Sequence, residues 1–432
     1  MLYENKRELI KARKQNARLY PIYKMCSWDL LFYYAISFVF LVQTKGFTPA
    51  EVMLTDAIYT IFKLILNIPA SAVIERIGKR KSLILANSLL SLYIVLIIVI
   101  KGMIGLIFAY FLMAFCFSIK NVAESNLLYD SVTQKNGKGM FAKLEELGAR
   151  NYYFLDGISS ILTGFLYVFN GYLPMIISLI FTLIAIIISC KFKEIIEPKA
   201  DNDKNIKYRF INYKEEIKCA FKFIFGSKRL RALIIFEAIL GGLIYSSYTL
   251  RESLLNELIK PEFFAVIISG LTIVSGIFSI LQKYLHEKFK NRALTVIVCI
   301  YVPTFVLIGI LLKLNIIKSL LIAFILILYL VQYAMQSPYH ILCGKYERSF
   351  ASSKMRNKIA VAFDLVKSLS QFIIAFSISV MLTYQTIEST FFIVGIEFLI
   401  ILFIVLIYMR KRVGLKPEAY TKKDIEVLNP KD

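Results

Sequence analysis

The chain has 432 residues, of which 58% are apolar and 19% are charged, and its mean hydropathy is +0.64. Soluble domains average roughly 45–50% apolar residues, so most of this chain must be shielded from water by lipid. The net charge of +22 would also suit nucleic-acid binding, but the basic residues lie on alternate loops between apolar runs. Composition therefore predicts a polytopic membrane protein with no separate soluble domain, and argues against a nucleic-acid partner.

Apolar runs bounded by charge, Gly or Pro predict twelve membrane-spanning helices, here numbered spans 1 to 12. Helices are expected because unpaired backbone is costly in hydrocarbon and no barrel-like alternation occurs. The first six spans cover residues 22–43, 52–74, 82–101, 103–125, 148–169 and 172–192. The second six cover residues 230–250, 262–282, 293–312, 319–342, 359–382 and 389–409.

The basic residues predict the orientation of these spans. With both termini in the cytoplasm, about 43 of the 52 Lys and Arg fall on inner segments and about 6 on outer loops. An odd number of spans would destroy this asymmetry. The first 20 residues are polar and basic, which predicts no cleavable signal peptide. We therefore expect a multi-pass protein of the inner, cytoplasmic membrane with both termini cytoplasmic.

The domain organisation follows from the longest hydrophilic stretch, near the middle of the chain. We expect a six-helix bundle over residues 1–192, a cytoplasmic linker over 193–228, a second six-helix bundle over 229–412 and a cytoplasmic tail over 413–432. Within the linker, apolar residues at helical spacing predict an amphipathic helix on the membrane surface. They are Tyr213, Ile217, Phe221 and Ile224.

An internal repeat relates the two halves. Asp29 corresponds to Glu237 at an offset of 208 residues, and Asp156 in span 5 corresponds to Asp364 in span 11 at the same offset. Arg150 and Lys358 form a third pair at 208 residues. The loop 75–80 aligns with the loop 287–292 at an offset of 212. Such internal repeats are typical of transporter folds built from duplicated bundles.

The loop between spans 2 and 3 carries a motif. Residues 71–81 resemble the signature G-x-x-x-D-R-x-G-R-R/K of the major facilitator superfamily, with Ser71 in place of its first glycine and Glu75 in place of its aspartate. The matching positions are Arg76, Gly78, Lys79 and Arg80. Residues 124–131 at the end of span 4 resemble a run found in drug-efflux-like members from low-GC bacteria. The resemblance covers essentially the whole chain.

The resemblance implies an all-α fold in which two pseudo-symmetric six-helix bundles enclose a cavity that opens alternately to each side. It also implies a conformational latch, in which the Glu75 carboxylate caps the amino end of span 11. The alternative is that the basic loop residues only enforce orientation. Span 5 departs from the proton-antiporter pattern, since it contains Gly157 and Gly164 but no proline.

Ionisable residues inside the membrane are costly and usually functional. The acidic candidates carry protons or bind a cationic solute, or else act as tethers for basic loop residues; they are Asp29, Asp156, Glu237 and Asp364. Lys63 has no acidic residue at helical spacing and contacts either an acid on another helix or an anion. Lys120 is expected to pair with Glu124, and Lys367 with Asp364, each on its own helix.

Aromatic residues make up 14% of the chain and can line a cavity for flat or cationic molecules, although most are expected to pack against lipid or other helices. His340 either titrates near neutral pH or has only a packing role. The candidate cavity residues are Trp28, Tyr33, Tyr34, Glu124, Tyr339 and His340.

We therefore expect a secondary active transporter, a monomer that moves a small amphipathic or drug-like solute by alternating access, with proton-coupled efflux as the leading mode. Uptake, flipping of a lipid-linked solute, and a non-transporting sensor or scaffold are the alternatives. The sequence contains no Walker A string, no C-x-x-C pair and no H-E-x-x-H motif. We accordingly expect no enzymatic activity, cofactor or metal, and as partners the lipid bilayer, the solute and protons.

Overall fold

The fold is described by a computed structural model that covers residues 6–132, 137–195, 215, 218–289, 292–314, 316–350 and 356–410. Every regular element in these ranges is helical. Most of the predicted linker, including Tyr213 and Ile217, and the tail from 413 lie outside the described residues. In the remainder of the linker, residues 218–226 are helical, with Ile224 buried and Lys222 exposed.

The helices of the first half follow the predicted spans closely after the first one. They are α1 (Lys6–Ser27), α2 (Ser37–Val39) with a π-helical turn (Phe40–Thr44), α3 (Pro49–Ile77), α4 (Lys79–Val99), α5 (Met103–Ser131), α6 (Gly137–Phe169) and α7 (Leu173–Lys191).

The second half has the same succession of long apolar helices. They are α8 (Lys228–Leu258), α9 (Pro261–Phe278), α10 (Leu281–Phe289), α11 (Ala293–Tyr301), α12 (Pro303–Lys313), α13 (Lys318–Phe350), α14 (Arg356–Tyr384) and α15 (Ile387–Arg410). Span 9 is divided into α11 and α12 at Pro303, which lacks the amide that a continuous helix needs.

Span 1 is not the continuous helix that we predicted over 22–43. Helix α1 ends at Ser27, helical structure returns at Ser37, and residues 28–36 form turns. Within the turns Phe32 has a φ of 64°, a left-handed conformation that is costly for a bulky residue. The apolar run of span 1 is therefore interrupted by a helix break, defined as residues 28–36.

Eleven of the described helices are long and apolar enough to cross a membrane, which fits twelve spans once the broken first segment is counted. Large apolar side chains face outwards along them, for example Ile104 at 87% exposure and Phe169 at 86%. In a water-soluble protein such residues would be buried. The structure is that of an all-α, multi-pass membrane protein.

The described chain forms two compact units. Unit 1 contains the residues up to Thr48, together with 58–210 and 259–269. Its core is built from small and aliphatic side chains of α3, α4, α5 and α7 packed against α1. Core members include Tyr23, Ala70, Leu83, Ile119 and Ala185.

Unit 2 contains residues 49–57, 211–258 and those from Gly270 onwards. Here α8 packs against α14, and α12 packs against α15. The second pair approaches closely at two glycines. A Cβ on Gly309 would lie 2.7 Å from the Phe392 amide nitrogen, and one on Gly395 would lie 2.7 Å from the Val306 amide nitrogen. Glycine is therefore required at both positions of this crossing.

Candidate functional site

The helix break in unit 1 is held by a buried lysine. The ammonium of Lys120 on α5 donates a hydrogen bond of 3.1 Å to the Trp28 carbonyl, and Lys120 is 1% exposed. In an unbroken helix this carbonyl would accept the amide of residue 32. A cation at the carboxyl end of a helix also interacts favourably with the helix dipole. Lys120 therefore stabilises the interruption of span 1.

Asp29, the first predicted acid, lies inside the helix break. Its carboxylate accepts a hydrogen bond of 3.0 Å from the Leu30 amide. It also lies within electrostatic range of Lys120 and of Asp156, a half-buried residue on α6. The structure thus brings together Asp29 and Asp156, both predicted from the sequence. Lys120 completes the group, which combines two carboxyl groups and one ammonium.

The aromatic candidates surround the helix break. The Trp28 ring lies 5.2 Å from the ring of Tyr152, and the rings of Tyr33 and Tyr34 lie 5.3 Å apart. Tyr33 is buried and shares a hydrogen bond of 2.5 Å with the Tyr93 hydroxyl, so it has a packing role. Tyr34 is 39% exposed, which makes it the most exposed of these three side chains.

Glu124 interacts electrostatically with Lys120, as expected, although no ion pair within 4.0 Å joins the two in the described structure. Its carboxylate instead accepts a hydrogen bond of 3.3 Å from the Tyr20 hydroxyl and lies 4.0 Å from the Lys24 ammonium. Both of these residues also bond to Glu145 on α6. Burial and the two neighbouring carboxylates raise the pKa of Tyr20, which keeps its hydroxyl protonated as a donor. Glu124 therefore joins α5 to α1.

The signature loop is tied to the rest of unit 1 at three of its predicted positions. Gly78 precedes α4 with a φ of 86°. The Glu194 carboxylate caps α4 by accepting the amides of Lys79 (3.1 Å) and Arg80 (2.8 Å). The Lys79 side chain pairs with Asp130, and the Arg80 guanidinium donates to the Cys190 carbonyl at 2.7 Å.

These contacts give the motif a physical role within unit 1. A carboxylate at a helix amino terminus is favoured by the free amides and by the helix dipole. Glu194 was not identified from the sequence as a partner of this loop. Its only feature in the sequence is that it is an acidic residue just after span 6. Glu75 and Arg76 are exposed. The expectation that Glu75 caps span 11 remains a prediction.

Unit 2 contains a buried ion pair that links two helices. Glu237 on α8 is 1% exposed and pairs with Lys367 on α14. The Lys367 ammonium also lies 3.9 Å from the Glu347 carboxylate on α13. We expected Asp364, on the same helix, to neutralise Lys367; the structure shows ion pairs of Lys367 with Glu237 and Glu347, which lie on two other helices. Glu237 Oε1 has no hydrogen-bond partner among the described residues.

The other unit 2 candidates lie around this pair. The buried Tyr339 hydroxyl donates to the Glu237 carbonyl at 3.4 Å, and the exposed His340 ring contacts the Tyr339 ring at 4.9 Å. Asp364 is exposed and lies within electrostatic range of Glu237. Lys63, a candidate in unit 1, lies in the middle of α3; it is exposed and has no ion pair within the described residues.

Arg251 on α8 was missed from the sequence. The predicted span 7 ended at residue 250, so this arginine was assigned to an outer loop, but α8 continues to Leu258. Arg251 is 1% exposed and is surrounded by tyrosine and glutamine side chains. A span predicted from hydropathy ends where a charged residue interrupts the apolar run. The prediction therefore could not show that α8 continues past Arg251 and that its side chain is buried among other helices.

Both units therefore carry buried charged side chains within a polytopic, all-α architecture. Among the described residues no group of three or more His, Cys, Asp or Glu side chains is placed to hold a metal ion. The profile of the Major Facilitator Superfamily matches residues 25–373. The chain belongs to this superfamily.

Solved structures share the fold at low sequence identity. The nucleoside transporter NupG superposes with a TM-score of 0.69 at 12% identity, covering 92% of this chain and 98% of that one. The POT family transporter PepTSo gives 0.65 at 12% identity, with coverages of 95% and 99%. A bacterial homologue of the human lysosomal transporter Spinster gives 0.64 at 13%, with coverages of 95% and 98%. No curated protein matches the chain in sequence.

Proposed function

We propose that this protein is a proton-coupled secondary transporter that expels small amphipathic solutes across the cytoplasmic membrane by alternating access. The observation that carries the proposal is the buried Glu237–Lys367 pair between α8 and α14. A carboxylate in such surroundings must be neutralised by a cation or by a proton. Protonation of Glu237 would release Lys367, so one proton changes the connection between two helices.

The proton supplies energy as well as a switch. Moving one elementary charge through a membrane potential of 100 mV is worth about 2.3 kcal/mol. A difference of a few kcal/mol is enough to shift a two-state conformational equilibrium. When Glu237 is protonated, Glu347 at 3.9 Å remains as an anionic partner for the Lys367 ammonium. The lysine can therefore move between two carboxylates without becoming an isolated buried charge.

Asp29 is the proposed counterpart in unit 1. It occupies the helix break, where backbone groups no longer satisfied within a helix are available, and transporters commonly bind solutes and ions at such discontinuous helices. The neighbouring Lys120 and Asp156 give this acid a charged environment comparable to that of Glu237. The exposed Tyr34 ring offers an apolar and polarisable surface beside it. We infer that Asp29 contributes to proton or solute binding.

Direction and orientation form part of the same proposal. Basic loops would hold both termini and the linker in the cytoplasm, and protons entering down their gradient would drive solute outwards. The signature loop would act as a latch through Glu75 in addition to its contacts with Glu194. The protein would work as a monomer, since the ion pairs of Glu237 with Lys367 and of Lys79 with Asp130 form within one chain.

Flux in proteoliposomes tests the coupling. The purified protein would be reconstituted with a fluorescent amphipathic dye, and flux would be measured with and without an imposed pH gradient. We expect Glu237→Gln and Asp29→Asn each to reduce the gradient-driven flux at least ~10-fold, because a charge lost from a proton-coupling site removes the driving step. Glu146→Gln, at an exposed acid on α6, is the control and should retain wild-type flux.

The outcomes separate the alternatives. Flux that ignores the pH gradient and is unchanged in both variants would refute proton coupling. Accumulation of dye on the side towards which the protons move would show proton-coupled uptake instead of efflux. Absence of any solute movement, with intact protein in the bilayer, would favour a sensor or scaffold.

A further inference from the structure

Arg251 presents a problem of charge balance inside unit 2. It ranks among the largest fully buried side chains of the described structure, at 1% exposure. No Asp or Glu carboxylate in the described parts of the chain lies within 4.0 Å of its guanidinium. An arginine cannot lose its charge by deprotonation in a protein. The guanidinium is therefore a buried cation with no carboxylate in direct contact, and the acid that acts on it electrostatically is Glu252, the next residue on α8.

The polar contacts of the guanidinium are neutral. Nη1 donates to the Gln332 side-chain oxygen at 3.0 Å. With the Gln336 amide turned so that its nitrogen donates to Tyr248, its oxygen accepts from Nη1 and Nη2, each at 3.1 Å. Nε is buried and has no hydrogen-bond partner. The two glutamines thus orient the guanidinium but leave one of its donor edges unused.

Tyrosine rings cover the guanidinium. Its central carbon lies 4.4 Å from the Tyr333 ring centroid and 4.8 Å from that of Tyr248. Tyr333 is buried, whereas Tyr248 is 40% exposed. The Tyr248 ring is therefore a cover with one face against the cation and an open side, and its displacement would uncover Arg251.

We propose that Arg251 is the receptor for the carboxylate of an organic anion, which is the substrate class of this transporter. The inference rests on the proposed function for its transport role but not for binding. The planar guanidinium can bind both carboxylate oxygens, and a monovalent carboxylate supplies the directly contacting anion that the guanidinium lacks. The tyrosine rings would contact the apolar body of the solute.

Charge balance distinguishes this ligand from phosphate. Beside Glu252, a doubly charged phosphate would add more negative charge than Arg251 can balance, which is costly in a low-dielectric interior. An anionic phospholipid carries a singly charged phosphodiester, so charge alone does not exclude it. Its two acyl chains and glycerol would, however, have to reach a side chain that lies inside the helix packing.

Thermal unfolding of the purified full-length protein tests the binding claim. The probes are two matched pairs that differ in charge, phenylacetate with phenylacetamide and octanoate with octanamide, together with inorganic phosphate and sulfate. We expect the carboxylates to raise the wild-type unfolding temperature by about 3 °C or more at saturation, and the amides to have no effect.

Two variants make the test specific. Arg251→Gln should lose the carboxylate response, while its unfolding temperature without ligand should equal or exceed that of the wild type, since an unpaired buried charge is removed. The control is Arg231→Gln on the same helix, where Nε of Arg231 donates to the Tyr408 hydroxyl at 3.0 Å. This variant should keep the full carboxylate response.

Three results would overturn the proposal. In the first, carboxylates stabilise the wild type and Arg251→Gln equally. In the second, phosphate or sulfate stabilises the wild type as strongly as the carboxylates do. In the third, Arg251→Gln is markedly less stable than the wild type without ligand. Carboxylate binding that persists when pH-driven flux is absent would refute the coupling and leave the receptor intact. Flux with no carboxylate response would refute the receptor alone.

Discussion

Gly78 and Gly102 begin neighbouring helices with the same backbone conformation but different surroundings. Their φ values are 86° and 84°. A Cβ on Gly78 would lie 3.0 Å from the Glu194 carboxylate, whereas nothing lies within 4 Å of one on Gly102. The two positions therefore allow backbone strain to be separated from loss of the helix cap.

Alanine at each position measures the two effects. Gly102→Ala should lower the free energy of unfolding by about 1–2 kcal/mol through left-handed strain alone. Gly78→Ala should lower it by a further ~1.5–3 kcal/mol, because Glu194 is displaced from the amides that it caps. Thermal unfolding in detergent is the measurement. Equal losses in the two variants would show that the Glu194 cap contributes nothing to stability.

Lys120 allows a second prediction at this scale. Lys120→Met should lower the free energy of unfolding by about 1–3 kcal/mol, since the Trp28 carbonyl loses its donor and Asp29 loses its nearest cation. Lys101→Met, at an exposed lysine, should stay within about 0.5 kcal/mol of the wild type. A stability of Lys120→Met equal to that of Lys101→Met would contradict the role of Lys120 at the break.

The sequence identified several charged positions but not their partners. Lys120 and Lys367 each have an acid at helical spacing, and Glu124 does interact electrostatically with Lys120. The direct contacts of the two lysines are nevertheless with distant parts of the chain, the Trp28 carbonyl and the Glu237 carboxylate. Local spacing is informative only where a helix face is exposed to solvent. Arg251 was missed for a related reason, since a charge at the end of an apolar run is read as the boundary of a span.

At the scale of the elements, α6 offers another matched pair of glycines. A Cβ on Gly164 would lie 2.4 Å from the Glu262 carbonyl oxygen at the start of α9, whereas Gly157 has nothing within 4 Å. Gly164→Ala should therefore cost about 1–3 kcal/mol by forcing backbone apart. Gly157→Ala should be neutral or stabilising, because alanine favours the helix. If both variants behave alike in thermal unfolding, the close approach of α6 and α9 is wrong.

Eleven spans agree with the described helices to within a few residues, apart from longer ends such as that of α8. The agreement is expected, because an apolar run of this length must pair its backbone groups within a helix when it crosses a membrane.

The helix break could not be predicted. No glycine or proline occurs between residues 28 and 36, so propensity gives no signal. The interruption depends on Lys120, a residue on another helix whose proximity only the fold creates.

The whole molecule depends on the division of its surface between lipid and water. Large apolar side chains face outwards from the spans, and charged residues gather at the helix ends and in a few interior clusters. The predicted topology follows from the basic loops. It determines which end of each helix faces the cytoplasm, and therefore whether transport in a given direction counts as efflux or uptake. The strength of the positive-inside asymmetry makes this the firmest expectation from the sequence.

Cysteine accessibility in intact cells measures this topology directly. In a chain whose other cysteines are replaced by serine, Cys219 reports on the predicted cytoplasmic linker, and Lys101→Cys reports on the predicted outer end of span 3; both positions are exposed. We predict that a membrane-impermeant maleimide labels residue 101 in intact cells and residue 219 only after the membrane is opened. Labelling of Cys219 from outside, with residue 101 protected, would contradict the orientation and with it the proposed direction of transport.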